Sequence, residues 1–151
     1  MVYPHPRSVA SIAGHPIHAM LVPFPIVCFT LALFTDIAFW RTSNLMWTEF
    51  SAWLLLAGIV FGVLAAVFGA IEFLLRRQMR VWAPAWPSVL GYLVVLVLAF
   101  FNNLVHANDG WTSVMPWGLT LSALTVALML VTAWLGGSLV HVHDVGVRDH
   151  A

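Results

Sequence analysis

A chain of 151 residues that is 62% apolar and only 8% charged is not built like a soluble globular domain, in which about a quarter of residues are charged. Six arginines and no lysine balance six acidic residues, so no basic surface exists to neutralise a run of phosphates, and nucleic-acid binding is disfavoured. The single Cys28 excludes a disulfide framework or a cysteine metal cluster within one chain.

The N-terminal stretch MVYPHPRSVASIAG is polar and broken by Pro4 and Pro6. No small-residue cleavage site follows the apolar run ending in FTDIAFW, so no cleaved signal peptide is expected. Crossing a hydrocarbon core about 30 Å thick takes about 20 apolar residues, because each rises about 1.5 Å along a helix. Four segments qualify, at about residues 16–40, 50–75, 87–106 and 116–140. Their connections are short, which predicts an all-α, up-down-up-down four-helix bundle forming a single transmembrane domain over residues 1–151.

Orientation follows from the arginines, since cytoplasmic loops collect them. With four crossings, Arg7, Arg76, Arg77, Arg80 and Arg148 share one side and Arg41 alone lies on the other. Both termini are therefore expected in the cytoplasm, with the chain in a cell inner membrane. Trp40, Trp47, Trp53, Trp111 and Trp117 would mark the outer interface, and Trp82 and Trp86 the inner one. In the second helix Gly58 and Gly62 are spaced as GxxxG, and Gly69 continues that face. Small residues at this spacing let backbones approach closely. Packing inside the monomer is preferred over a dimer seam.

Ionisable groups placed at membrane depth are costly, and each asks for a reason. His15 and His18, in GHPIHAM at the start of the first helix, are spaced to share a helical face. His141 and His143 follow the fourth helix in GGSLVHVHDVGV, at the same end of the expected bundle. Neutral imidazole is a common metal ligand, and helical bundles hold metals and haem between their helices. One imidazole from each end of the chain would suit a haem iron, whereas zinc would need three or four nitrogen ligands. The alternative is a set of interfacial anchors that bind backbone carbonyls or headgroups. Pro23 and Pro25 fall early in the first helix and predict a kink beneath His15 and His18, either opening a pocket there or fitting the helix to its neighbours.

A second polar patch comprises Asp36 near the end of the first helix and Asn102, Asn103 and His106 near the end of the third. It reads as a proton or quinone site at the outer interface. A structural role is the stronger expectation, with Asp36 satisfying free N–H groups at a neighbouring helix start and the others facing headgroups. Glu72, four residues before Arg76, supports a helix end. No GxSxG, phosphate loop, dinucleotide fingerprint or HExxH is present, so no catalytic activity of the chain's own is expected.

The opening GHPIHAMLVPFPIV, the acidic residue late in the first helix and the closing GGSLVHVHDVGV together resemble the bacterial four-helix membrane proteins of the domain of unknown function 2231 family. That pattern begins with His-Pro-x-His before a proline-bearing helix and ends in Gly-Gly-x-Leu-Val-x-x-His-x-x-Gly-Val. The likeness spans nearly the whole chain. His15, His18 and His143 match the family's histidines, while His141 stands where an aromatic residue is usual, so His143 is preferred over His141 as a ligand. A histidine that the family often carries early in the third helix is replaced here by the run Ala85, Trp86, Pro87 and Ser88.

The layout is similar to small b-type membrane cytochromes, by analogy alone. The leading functional expectation is thus a membrane redox protein that binds haem b, or another metal, through His15 or His18 and His143, and passes electrons within a complex of other membrane subunits. The alternative is a cofactor-free subunit or anchor, held among membrane lipids, of a larger complex.

Overall fold

The computed structural model describes residues 11–12, 15–75, 86–107 and 114–142, with side chains described over 17–71, 74–75, 86–107 and 114–135. Among the described residues four helices are long and apolar enough to cross a membrane. The first span is interrupted at Val22, giving α1 (Ile17–Leu21) and α2 (Pro23–Thr42). They are followed by α3 (Met46–Leu75), α4 (Trp86–Ala107) and α5 (Leu119–Val142). Before α1, Ser11–Ile12 pairs antiparallel with His15–Pro16.

The expected spans are all present, with ends shifted by local hydrogen bonding. The second helix begins at Met46, four residues before the apolar run suggests. Asn44 causes this, because its Oδ1 accepts the Met46 N–H at 3.0 Å and so satisfies a donor that a helix start leaves free. Glu49 in the first turn adds a favourable charge for the helix dipole. The preceding helix closes at Ser43, whose left-handed backbone (φ 51°) sends its N–H to the Phe39 carbonyl at 2.7 Å. A turn of Ser43, Asn44 and Leu45 therefore joins α2 to α3. The last span starts with the wide turn Val114–Gly118, in which Met115 is extended, and this runs directly into α5.

Phe29 and Ala32 of α2, Leu55 of α3, Val95 and Ala99 of α4 and Met129 of α5 form the core, all buried. The outward faces are as apolar as the core: Phe34, Trp53, Leu74, Trp117, Leu130 and Trp134 are all exposed. Such surfaces suit lipid and not water. Five polar side chains turn inward instead: Asp36, Ser51, Asn102, Ser122 and Thr125 are fully or almost fully buried.

The glycines of α3 are used inside the monomer. A Cβ at Gly58 would meet the Phe29 ring, and one at Gly62 would lie 2.5 Å from Leu96 Cδ2. Gly69 lies against His18. The preferred packing reading of the GxxxG face thus matches the contacts it makes. Those contacts also relate the helices: α3 starts beside the end of α2, and its later residues Ala65 and Gly69 lie beside α1. Between α4 and α5, early Gly91 faces late Thr132 and late Asn102 faces early Ser122. End is set against start between these neighbours.

Candidate functional site

Asp36 sits six residues before the end of α2 at Thr42, a rise of about 9 Å inside that end of the bundle. An aspartate at such a depth is costly unless its oxygens are matched. Each of the other three helices supplies a partner. Ser51 from the first turns of α3 donates to Oδ1 at 2.5 Å, and Ser122 from the first turn of α5 donates to Oδ2 at 2.5 Å. From the last turn of α4, His106 places Nε2 2.8 Å from Oδ1, with both side chains fully buried.

A second ring of contacts holds those partners. Asn102 Nδ2 donates to Ser122 Oγ at 2.7 Å, which leaves the serine hydrogen for Asp36. Thr35 Oγ1 lies 2.7 Å from Ser51 Oγ and also bonds the Ala32 carbonyl of its own helix. His106 Nδ1 lies 2.9 Å from the Asn102 carbonyl oxygen one turn earlier. Behind the imidazole lies Gly118, where a Cβ would come within 2.9 Å of Cε1. Asn102 Oδ1 is buried with no hydrogen-bond partner among the described residues.

The partners fix a proton count. A carbonyl oxygen only accepts, so Nδ1 of His106 carries a hydrogen. Two neutral arrangements then satisfy the 2.8 Å contact: a protonated Asp36 donating to the Nε2 lone pair, or an imidazolium Nε2–H donating to the carboxylate. In each, one proton lies between Oδ1 and Nε2 and the pair has no net charge. Removing it would set a lone pair against a carboxylate and leave a net negative charge among apolar helices, which is the costly state.

This placement differs from the structural role expected from sequence. Asp36 bonds side chains and not the free N–H groups of a helix start, while Asn102 and His106 face the bundle interior and not the headgroups. Asn103, grouped with them by sequence, is half-buried on the neighbouring face and outside the Asp36 contacts. Ser51 and Ser122 carry no signal of their own in the sequence. Serines are unremarkable in an apolar helix until a carboxylate is known to lie opposite, although each opens a helix that must pack beside the end of the Asp36 helix.

At the opposite end, His18 on α1 turns toward α3. Its Nδ1 lies 2.7 Å from the Ala65 carbonyl oxygen, so Nδ1 is the donor. The ring rests against Gly69, where a Cβ would lie 3.0 Å from Nδ1. Of the two consequences expected of Pro23 and Pro25, fitting the helix to its neighbour is the one these contacts match. His15 lies in the short antiparallel pair and His141 in the last turn of α5, both with side chains outside the described set; His143 lies outside the described residues. Among the described residues no three His, Cys, Asp or Glu side chains are grouped as a metal site requires.

A family model described as predicted membrane protein (DUF2231) matches residues 14–149. The chain belongs to the DUF2231 family. No curated protein and no solved structure matches it. The DUF2231 match takes in both the histidine-bearing first helix and every residue around Asp36, and the four spans agree with its description as a membrane protein.

Proposed function

We propose that this DUF2231 protein handles protons in the membrane, with the Asp36–His106 pair as the group that takes up and releases them. The observation that carries the reading is the 2.8 Å contact between two fully buried ionisable side chains, whose remaining partners require one shared proton. Ser51 and Ser122 hold the carboxylate, and Asn102 and Gly118 hold the imidazole. A group held this way exchanges a proton without moving a helix. The arginine bias supports placing this end of the bundle away from the cytoplasm, with both termini on the cytoplasmic side of an inner membrane.

Infrared difference spectroscopy of the purified full chain across a pH titration tests it. A carboxyl, carboxylate or imidazole band that changes with pH and disappears in Asp36→Asn is the expected result. A spectrum without any such band, or one that Asp36→Asn leaves intact, would overturn the reading and assign the pair to helix association in a cofactor-free anchor or subunit.

One observation favours a second reading, that of a redox protein holding haem b or another metal at the opposite end. Metal-ligating histidines commonly donate their second ring nitrogen to a backbone carbonyl, which orients the ring and frees the other nitrogen. His18 has this arrangement with Ala65. Under this reading His18 or His15 supplies one ligand and His143 or His141 the other, with electrons passing to other membrane subunits. Protein purified in mild detergent should then be red, with a Soret band altered by His18→Ala; colourless, metal-free protein would end it.

A further inference from the structure

The buried polar groups and the buried apolar groups occupy different levels of the bundle. Asp36, Ser51, Asn102, His106 and Ser122 make one polar level near the Ser43–Leu45 turn. Toward the other end, each of the four long helices contributes to a dry level: Phe29 and Ala32 from α2, Leu55 from α3, Val95 and Ala99 from α4, Met129 from α5. Contacts at Gly58 and Gly62 tighten it, since the Phe29 ring and Leu96 occupy the space where side chains would project. No member of that core cluster has a side-chain group able to donate or accept a strong hydrogen bond. Thr125, between Ser122 and Met129 along α5, commits its hydroxyl hydrogen to the Leu121 carbonyl of its own helix.

The near side is different. Between Asp36 and the end of the bundle the described buried side chains are Phe39, Thr48 and Val114, a single level in which the Thr48 hydroxyl donates to the Leu45 carbonyl. Only six residues of α2, about 9 Å of rise, remain beyond Asp36. His106 is nearer still, one residue from the end of α4 at Ala107. In the other direction the first span continues from Asp36 back to Ile17, about 28 Å. A proton needs a run of hydrogen-bonding groups or waters to travel, and waters enter only where polar partners exist. The near side is one level thick, whereas on the far side the packed core lies across the way.

Resting on the proton reading above, we infer that the Asp36–His106 site exchanges its proton with one side of the membrane only, the side of the Ser43–Leu45 turn, and that the Phe29–Leu55–Val95–Met129 level seals it from the other. The site is thus a one-sided proton acceptor and donor and not part of a wire through the bundle. Its reaction partner is a proton-releasing or proton-consuming group reached from that same side. Among the described residues the other ionisable side chains at this end, Arg41 of α2 and Glu49 of α3, are exposed, and α4 and α5 present only His106 to the site. Among the described residues the pair is therefore the buried ionisable group at that side.

The test uses the full chain in sealed lipid vesicles, sorted for orientation by an impermeant thiol label at Leu45→Cys in a Cys28→Ala background. The pH is stepped on one face of the vesicles while the other is held by trapped buffer, and the Asp36 infrared band is followed. The expected band change follows steps on the Leu45 face and is absent for steps on the opposite face. A response to both faces, or to the opposite face alone, overturns the inference. Titration of the same protein in detergent separates the two ideas, because loss of the band there ends the proton reading itself, whereas a detergent response with two-sided access ends only the seal.

Discussion

Gly118 and His106 are so close that one added carbon at the glycine would lie 2.9 Å from the imidazole Cε1 and 3.3 Å from Val114 Cγ1. A flat glycine surface at the start of the last span is what lets the ring stand between Asp36 and the Asn102 carbonyl. Gly118→Ala should therefore push the ring off its contact with Asp36. We expect a stability loss of about 1–3 kcal/mol, the usual cost of overpacking, measured by denaturant unfolding in detergent. A shift in the Asp36 carboxyl band should accompany it. A normal band in a stable protein would mean that the ring is not seated by this glycine.

The two conservative replacements of Asp36 separate structure from proton chemistry. Asparagine retains an acceptor oxygen for a serine and offers an N–H to the Nε2 lone pair of neutral His106, so most hydrogen bonds survive without the ionisable proton. Alanine leaves Ser51, Ser122 and His106 all without their partner. Breaking a buried pair from one side costs about 3–5 kcal/mol. Asp36→Asn should remain close to wild type in unfolding midpoint while Asp36→Ala falls well below it, and both should lose the pH-dependent carboxyl band.

Ser122 links two groups with one hydroxyl, accepting from Asn102 and donating to Asp36. Ser122→Ala removes both bonds at once. Interhelical hydrogen bonds in membranes average about 0.6 kcal/mol and reach about 1.7, so a loss of about 1–3 kcal/mol is expected for the two together. Unfolding in detergent measures it against the control Thr120→Ala, whose hydroxyl bonds only the Pro116 carbonyl of its own turn. Equal losses in the two variants would remove Ser122 from the network.

The membrane fold was legible because its cause is local: a run of about 20 apolar residues states its own length requirement. Helix starts were less legible, since Met46 depends on the Asn44 side chain reaching two residues forward, an event that apolar periodicity does not record. Asp36, Asn102 and His106 could be grouped from chain order alone, because the ends of the first and third helices share one side of an antiparallel bundle. Their burial could not. Distance from a helix end measures depth in the membrane, whereas burial depends on which way each residue faces around the helix. Among α2 side chains one turn apart, Phe29, Ala32, Asp36 and Phe39 all face inward, so the acidic residue belongs to the core face. That three-to-four-residue spacing was present in the sequence and was the signal available for finding the site.

The glycines of α3 give a graded prediction. At Gly58 the obstacle is the Phe29 ring, itself buried, with Cys28 Cβ 3.1 Å away; at Gly62 it is the far end of the Leu96 side chain, which can rotate. Gly58→Ala should therefore destabilise the chain by more than Gly62→Ala, by about 1–3 kcal/mol against less than about 1. Thermal unfolding of the two variants in one detergent decides it, and the reverse order would place the close helix contact elsewhere.

Orientation in the membrane gives the last prediction, because the one-sided site acquires a biological direction only when its end of the bundle is assigned. From the sequence, Arg7, Arg76, Arg77, Arg80 and Arg148 are expected on one side of an even-numbered set of crossings and Arg41 on the other; Arg41 stacks 5.7 Å from the Trp40 ring. Arginine bias near the span ends governs insertion, and cation–π stacking at the interface suits a residue retained on the poorer side. A reporter fused after Ala151 should therefore read cytoplasmic. Leu45 is exposed in the turn beside Arg41, so Leu45→Cys in a Cys28→Ala background should react with an impermeant maleimide added outside intact spheroplasts. Protection of that cysteine together with a non-cytoplasmic fusion signal would invert the bundle, and the Asp36–His106 pair would then exchange its proton with the cytoplasm.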